Sequence, residues 1–527
     1  AWGGWQDGAR EADKWGSRGS GGGWQQEGWK QQKTGNGRGH SEAGGGMVSV
    51  GSGVGTTPFC RAFLPAAAPA GAEELAAVAR RRAELEVAVD GEAEGLAVCP
   101  VTSLAEVQEC LPGYLVEQLR ELGMESPMPI QQQALPLLLR GFDLVGIAKT
   151  GSGKTLAFLL PGVVHIEAQE PLDGAVASPI ALVLAPVREL AVQIAEEANK
   201  LLAKSSASAR HPKGLGAVAL YGGGARVRWD QLAELQKGWC QIVTATPGRA
   251  CDFLQSGDLS LGRVTYFVLD EADRMLECGF EEQMGQIAGS IRSDRQTLFF
   301  SATWPAVVQK LASRMCHSPP VRVTVGQKQD GDGPTARGDI VQEIVVLDGM
   351  EWEEVDAKKQ EIMYSHIRTL LQDPVHKVLV FVNTKNMSWE VAGKLTEEGF
   401  SAEFMYGGRS QDVRADIVRK FKEGEIKLLV TTDVMARGLD IPDISHVVVF
   451  DCYGGIEEYV HRIGRTARGP YGRGHALTFF EYDPKYSGMA SELLEVLQQA
   501  GQPVPPELQR IADEVASGER KVVRKKW

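Results

Sequence analysis

Residues Ala148-Lys149-Thr150-Gly151-Ser152-Gly153-Lys154-Thr155 stand between two apolar runs, Leu144-Val145-Gly146-Ile147 and Leu156-Ala157-Phe158-Leu159-Leu160. The first run predicts a short buried strand and the second the start of a helix. A glycine-rich turn between them leaves backbone N–H groups free to point at phosphate oxygens, and the helix dipole favours anions at that end. Lys154 is expected to reach the outer phosphates as a point charge, with the Thr155 hydroxyl placed to hold a magnesium ion. The bland alternative is an incidental lysine in a glycine-rich loop, and the strand-turn-helix context weighs against it.

With 527 residues the chain has room for two or three domains, and its apolar content of 43% is that of an ordinary globular protein. No apolar run approaches the length of a membrane span, and the start lacks a charged-then-apolar leader pattern, so a membrane is not an expected partner. The eight cysteines are scattered singly with no Cys-x-x-Cys pair, which argues against a zinc or redox centre. A net charge of −12 opposes bulk binding to polyanions but is compatible with a local basic groove.

From about Leu104, strand-like runs alternate with helical patterns: Ala181-Leu182-Val183-Leu184, Ala217-Val218-Ala219-Leu220, Gln241-Ile242-Val243-Thr244, Phe267-Val268-Leu269 and Thr297-Leu298-Phe299-Phe300. This predicts an α/β domain over 104–326, a parallel sheet with helices on both faces. Linker chemistry occupies 327–340, and the alternation resumes over 341–500 as a second sheet domain. Residues 1–71 are rich in Gly, Trp and Gln without apolar periodicity and read as a disordered arm and linker. Residues 72–103 read as a helical extension, with 72–90 as one helix whose Arg80-Arg81-Arg82 run is a solvated face or a basic contact. Residues 501–527 read as a basic tail carrying Arg520-Lys521 and Arg524-Lys525-Lys526.

Downstream of the phosphate loop stands Val268-Leu269-Asp270-Glu271-Ala272-Asp273. A carboxylate just past a buried strand can hold magnesium through its waters, and an adjacent glutamate can orient and deprotonate an attacking water. Asp270 and Glu271 suit those roles. Asp-Glu-Ala-Asp also spells the name of the DEAD-box ATP-dependent RNA helicases, and residues 104 to 500 resemble that family motif by motif. Gln131, in Pro127-Met128-Pro129-Ile130-Gln131, is similar to its adenine-reading glutamine, an amide that can match adenine N6 and N7. Ala185-Pro186-Val187-Arg188-Glu189-Leu190-Ala191, Gly222-Gly223, Thr246-Pro247-Gly248-Arg249 and Ser301-Ala302-Thr303 resemble the remaining first-domain motifs. Val380-Phe381-Val382-Asn383-Thr384, Gln411 with Arg414, the run Thr432 to Ile441 and the run His461 to Gly469 resemble those of the second. The phrases Arg274 to Phe280 and Ser301 to Pro305 look most like the Dbp-related subgroup.

The resemblance implies two tandem RecA-like, doubly wound parallel-sheet domains. It implies that Gln131, Thr150, Gly151, Ser152, Gly153, Lys154, Thr155 and Asp440 bind ATP, and that Thr155 and Asp270 hold Mg2+. Lys154, Asp270 and Glu271 would act in catalysis with two arginine fingers, Arg465 and Arg468. Arg188, Gly223, Thr246, Arg249, Arg414 and Thr432 would hold the RNA backbone, while Asp273, Ser301, Thr303, His461 and Arg462 would couple the domains. Val187 stands in place of a threonine, Leu104 in the region where a stacking phenylalanine is usual, and Ala467 in place of a glycine, the last expected to be a mild change. The expected activity is ATP-dependent unwinding of short RNA duplexes or remodelling of RNA–protein complexes by a monomer, nuclear or nucleolar, aided by protein activators. A DNA translocase and an RNA clamp with little turnover are the competing readings.

Overall fold

The computed structural model describes residues 58–65, 71–91, 98–124, 126–148, 151–171, 176–223, 225–326, 338–406, 409, 411–433, 444–452, 454–467 and 473–522. The sequence-predicted arm over residues 1–57, most of the linker (327–337), the last five residues of the tail, and Thr150, Asp440 and Arg468 lie outside them.

Eight strands build the first sheet: β1 Val87–Asp90, β2 Leu144–Ile147, β3 Ala181–Leu184, β4 Gly216–Leu220, β5 Cys240–Ala245, β6 Tyr266–Asp270, β7 Gln296–Ser301 and β8 Val321–Val325. Their order is β1-β8-β2-β7-β6-β3-β5-β4, parallel throughout except for β1 against β8. Side chains alternate between the two faces: Tyr266 and Val268 enter one core, Phe267 and Leu269 the other. That two-faced burial is why these strands read as unbroken apolar runs. Gly146 in β2 is required by packing, since a Cβ there would lie 2.5 Å from the Phe300 ring.

Six strands build the second sheet: β9 Ile340–Val346, β10 Val378–Phe381, β11 Ala402–Met405, β12 Leu428–Thr431, β13 His446–Val449 and β14 Gly474–Phe480. All pair in parallel, in the order β11-β12-β10-β13-β14-β9. Because parallel strands share a direction, the ends of β2, β6 and β7 bring Ala148, Asp270 and Ser301 to one edge of the first sheet. Open α/β sheets place their chemistry at that edge.

Four segments differ from the sequence expectation. The helix starting at Ala72 ends at Glu84, and Val87–Asp90 leaves it as an edge strand through Glu86, whose φ is +52°. β9 begins inside the expected linker, where the Ile-Val-Gln-Glu-Ile-Val-Val pattern finds a partner along the whole of β14. Residues 58–65, expected as linker, pack on the first domain: Phe63 and Leu64 N–H groups donate to the Leu139 carbonyl, Arg61 pairs with Asp143 at 2.6 Å, and the Phe59 ring stacks on His165. The expected tail contains a helix, Pro506–Ser517, whose Leu508 and Ile511 are buried, and Arg520 is held by Asp348 and Glu514.

Four of the chain's nine histidines gather at the N-terminal edge of the second sheet. His446 and His475 are register neighbours on β13 and β14, with ring centroids 5.4 Å apart, while His366 lies 5.2 Å from His475 and His376 4.9 Å from His446. Burial, with the neighbouring imidazoles adding to it, pushes His446 down to about 3. His366 and His475 are lowered too, chiefly by burial and against the pull of Glu343. Above the ordinary value of about 6.5 these rings are neutral in both folded and unfolded chains and leave stability unchanged. Below it the unfolded chain takes up protons that the folded chain refuses, so stability falls with pH. The thermal midpoint should therefore drop between pH 7 and 5, and less steeply in His446→Gln, as read by circular dichroism melts across that range.

Candidate active site and nucleic-acid interface

The turn after β2 places Gly151 at φ +77° and Gly153 at +86°, in the left-handed region that glycine alone enters without strain. Gly153 is also pressed from outside: a Cβ there would lie 2.4 Å from Gln131 Nε2 and 2.7 Å from Met128 Sδ. Gln131 Nε2 donates to the Gly153 carbonyl at 2.9 Å, and its Oε1 accepts from Met128 N–H at 2.9 Å. The adenine-reading candidate is thus tied directly to the phosphate loop. Lys154 opens the helix Lys154–Glu167, and its Nζ donates to the Ala148 carbonyl at 2.8 Å. Ser152 Oγ is buried without a hydrogen-bond partner, and Thr155 is partly exposed on the first helical turn.

Asp270 ends β6 at 4% exposure, and burial pushes its carboxyl up to about 7 although Lys154 opposes the shift. A carboxyl in that setting gains strongly from an added positive charge. Asp270 and Thr155 supply the hard oxygens that magnesium prefers. Among the described residues no cluster of three or more His, Cys, Asp or Glu is arranged for a metal ion. Glu271 follows at φ +53°, a conformation that costs a non-glycine residue of order 1–3 kcal/mol and is found where surrounding structure imposes it at functional sites.

Asp273, one helical step on, accepts from Thr303 N–H at 3.1 Å and Thr303 Oγ1 at 2.8 Å, which ties the acidic motif to the end of β7. Ser301, at the end of β7, is fully buried, and its hydroxyl faces the same Asp273 carboxylate. The second domain reaches this point through the helix Ile456–Ile463. Burial pushes His461 down to about 4 against the Asp273 carboxylate, with Arg465 and Lys154 adding to the shift. His461 and Arg465 of one sheet therefore share an electrostatic neighbourhood with Asp273 and Lys154 of the other. Arg462 does not cross the cleft: it is buried, pairs with Asp433 and donates to Asn383 Oδ1 and the Asp451 carbonyl, all in the second domain.

The backbone-contact candidates divide in the same way. Arg188 lies over the Tyr221 ring with its Cζ 4.0 Å from the centroid. Arg249 is 8% exposed and donates to Gln231 Oε1 and the Gly223 carbonyl at 3.1 and 3.0 Å, so it shapes the Gly222-Gly223 turn from behind. Thr246 is the N-cap residue of the helix Pro247–Gln255, and Thr432 is partly exposed just past β12. Arg414 bridges the domains by pairing with Glu189, a partner that sequence reasoning passed over although it adjoins Arg188. A second contact between the domains missed from sequence joins Arg274 to Glu458 at 4.0 Å. Ala467 is buried at φ +57°, so its methyl group occupies a conformation that favours glycine, a larger departure than the mild change expected.

Residues 128–311 match the DEAD/DEAH box helicase family model, and residues 358–470 match the helicase conserved C-terminal domain. The chain belongs to the DEAD-box RNA helicase family. Among curated proteins it is 42% identical to ATP-dependent RNA helicase DBP2 of Candida albicans over 78% of this chain and 68% of that one. It is 39% identical to DEAD-box ATP-dependent RNA helicase 20 of Arabidopsis thaliana over 86% and 84% of the two chains. Among solved structures, Saccharomyces cerevisiae Dbp5 bound to RNA and ADP BeF3 is 25% identical, with a TM-score of 0.59 over 79% of this chain and 99% of that one. The helicase is an RNA-dependent ATPase with two RecA-like domains.

The packing at Gly153 gives a direct check. Gly153→Ala should weaken ATP binding by at least about tenfold, because the methyl group must displace Gln131 and hold a left-handed φ. Titration with a fluorescent ATP analogue measures it.

Proposed function

We propose that ATP is held by Gln131 at its base and by the Gly151-Ser152-Gly153 turn and Lys154 at its phosphates, and is hydrolysed only when the second sheet closes on the first. The observation that carries this reading is the electrostatic contact of His461, in the second domain, with Asp273 and Lys154 of the first. Glu271 orients and deprotonates the attacking water. Arg465 and Arg468 stabilise charge on the transferred phosphoryl group, a contribution that reaches ~10³ to 10⁵ in related enzymes. A bound magnesium ion, held through Thr155 and Asp270, would neutralise charge on the phosphate oxygens. Asp273 and Thr303 relay the state of the nucleotide site to His461, on the helix Ile456–Ile463 that leads into Arg465.

RNA in this proposal lies along the edge formed by the Gly222-Gly223 turn, Thr246 and Thr432, with the half-buried Arg188 beside it on the first domain. Arg249 shapes that surface, and Arg414 acts through Glu189 in drawing the domains together. Contacts of this kind read phosphates and 2′-hydroxyls, so duplexes of any sequence are substrates, and RNA is preferred to DNA. A role in RNA processing in the nucleus or nucleolus belongs to the same reading. The basic tail lends it less support than its composition suggested, because Arg520 is committed to Asp348 and Glu514.

Steady-state ATP hydrolysis with single-stranded RNA, with DNA of the same sequence and without nucleic acid tests the proposal. RNA alone should stimulate turnover, and Glu271→Gln should lower kcat by about 10² to 10⁴ while keeping ATP-dependent RNA binding. Equal stimulation by DNA would favour a translocase, and RNA binding without turnover in the native chain would favour a clamp.

A further inference from the structure

The helix Ala72–Glu84 has little apolar reason to be where it is, since Val78 is its one buried residue. Its grip on the first domain comes from two arginines in the run that reads from sequence as a solvated face. Arg82 Nε donates to Gln133 Oε1 at 2.9 Å, and Arg81 donates to Gln132 Oε1 at 3.2 Å. Both glutamines lie on the helix Pro129–Leu138, immediately after Gln131.

The contacts continue inward. Gln132 Nε2 donates to the Pro127 carbonyl at 2.8 Å, one residue before Met128, whose N–H holds Gln131 Oε1. Gln131 Nε2 in turn holds the Gly153 carbonyl in the phosphate loop. On the other side Gln133, fully buried, donates to the Val98 carbonyl at 3.0 Å, which also accepts from Arg82, and Val101 N–H donates to the Gln132 carbonyl at 2.9 Å. An unbroken polar chain therefore runs from Arg81 through Gln132, the 127–128 turn and Gln131 to the loop that cradles phosphate.

We propose that Arg81 and Arg82 are positioning residues for the nucleotide site, through which the N-terminal helix sets the amide of Gln131 for adenine. The proposal rests on the adenine-reading role of Gln131. An amide that must offer a donor and an acceptor to one ring edge is useful only if its backbone and both its hydrogen bonds are fixed, and Gln132 fixes the turn that supplies one of them. Loss of Arg82 would also leave Gln133 Oε1 buried without its donor, which costs more than the bond itself contributes.

The test measures KM and kcat for ATP and for GTP, at saturating single-stranded RNA, in the full chain and in Arg81→Ala, Gln132→Ala, Arg82→Ala and Arg82→Lys. Arg81→Ala and Gln132→Ala should raise the KM for ATP about 3- to 10-fold, the scale of one or two lost hydrogen bonds. Their kcat should stay within about twofold, and their preference for ATP over GTP should fall in parallel with KM. Arg82→Lys should recover part of the loss seen in Arg82→Ala. A lowered thermal midpoint with unchanged KM and unchanged preference would show a merely structural helix and overturn the proposal, even if Arg82→Ala fails to fold. A native chain that does not prefer ATP to GTP would overturn the role of Gln131 and this proposal together.

Discussion

The charges proposed to carry catalysis in this helicase are divided between two domains, and the proposed mechanism depends on how they meet. Asp270, Glu271 and Lys154 stand at the C-terminal edge of the first sheet, while His461 stands on the helix Ile456–Ile463 of the second domain and Arg465 just past its end. Neither set is complete alone. Among the described residues, polar contacts that bring them together include Arg414 with Glu189, Arg274 with Glu458, and His461 with Asp273. Charged contacts between domains open and close at smaller cost than a large apolar interface would. In the proposed mechanism RNA and ATP are the ligands that select the closed arrangement.

Burial sets the chemistry within each half. Asp270 is forced up by desolvation beside a lysine that resists the shift. Glu271 and Ala467 each hold a left-handed φ, one beside the acidic motif and one beside Arg465. Strain on both sides of the cleft is maintained by packed surroundings: the Asp270 carboxylate accepts from Glu271 N–H at 3.1 Å, and Ala467 is buried against the second core.

Much of this was legible in the residues. The parallel sheets followed from apolar runs buried on two faces, and the phosphate loop from a glycine-rich turn between strand and helix. Phe299 and Phe300, which close the apolar run read as a strand, are fully buried. Contacts distant in sequence were not legible. β1 was absorbed into a helix because four residues of Val-Ala-Val-Asp carry no period of their own, and their partner on β8 lies more than two hundred positions away. Residues 58–65 looked like linker because their anchor is backbone hydrogen bonding to Leu139 and a ring on a buried histidine, neither of which leaves a pattern. Side-chain partners were hidden for the same reason. Arg249 and Arg462 carry motif positions, yet their guanidinium groups are spent on organising their own domains.

The claim that cross-sheet polar contacts assemble the active form is tested most directly by a double-mutant cycle on Glu189→Gln and Arg414→Gln, read as RNA-stimulated kcat/KM for ATP. The structure predicts that the double variant is little worse than either single one, with an interaction energy of at least about 1 kcal/mol. Losses that simply add would contradict it, because the two residues would then act through separate partners.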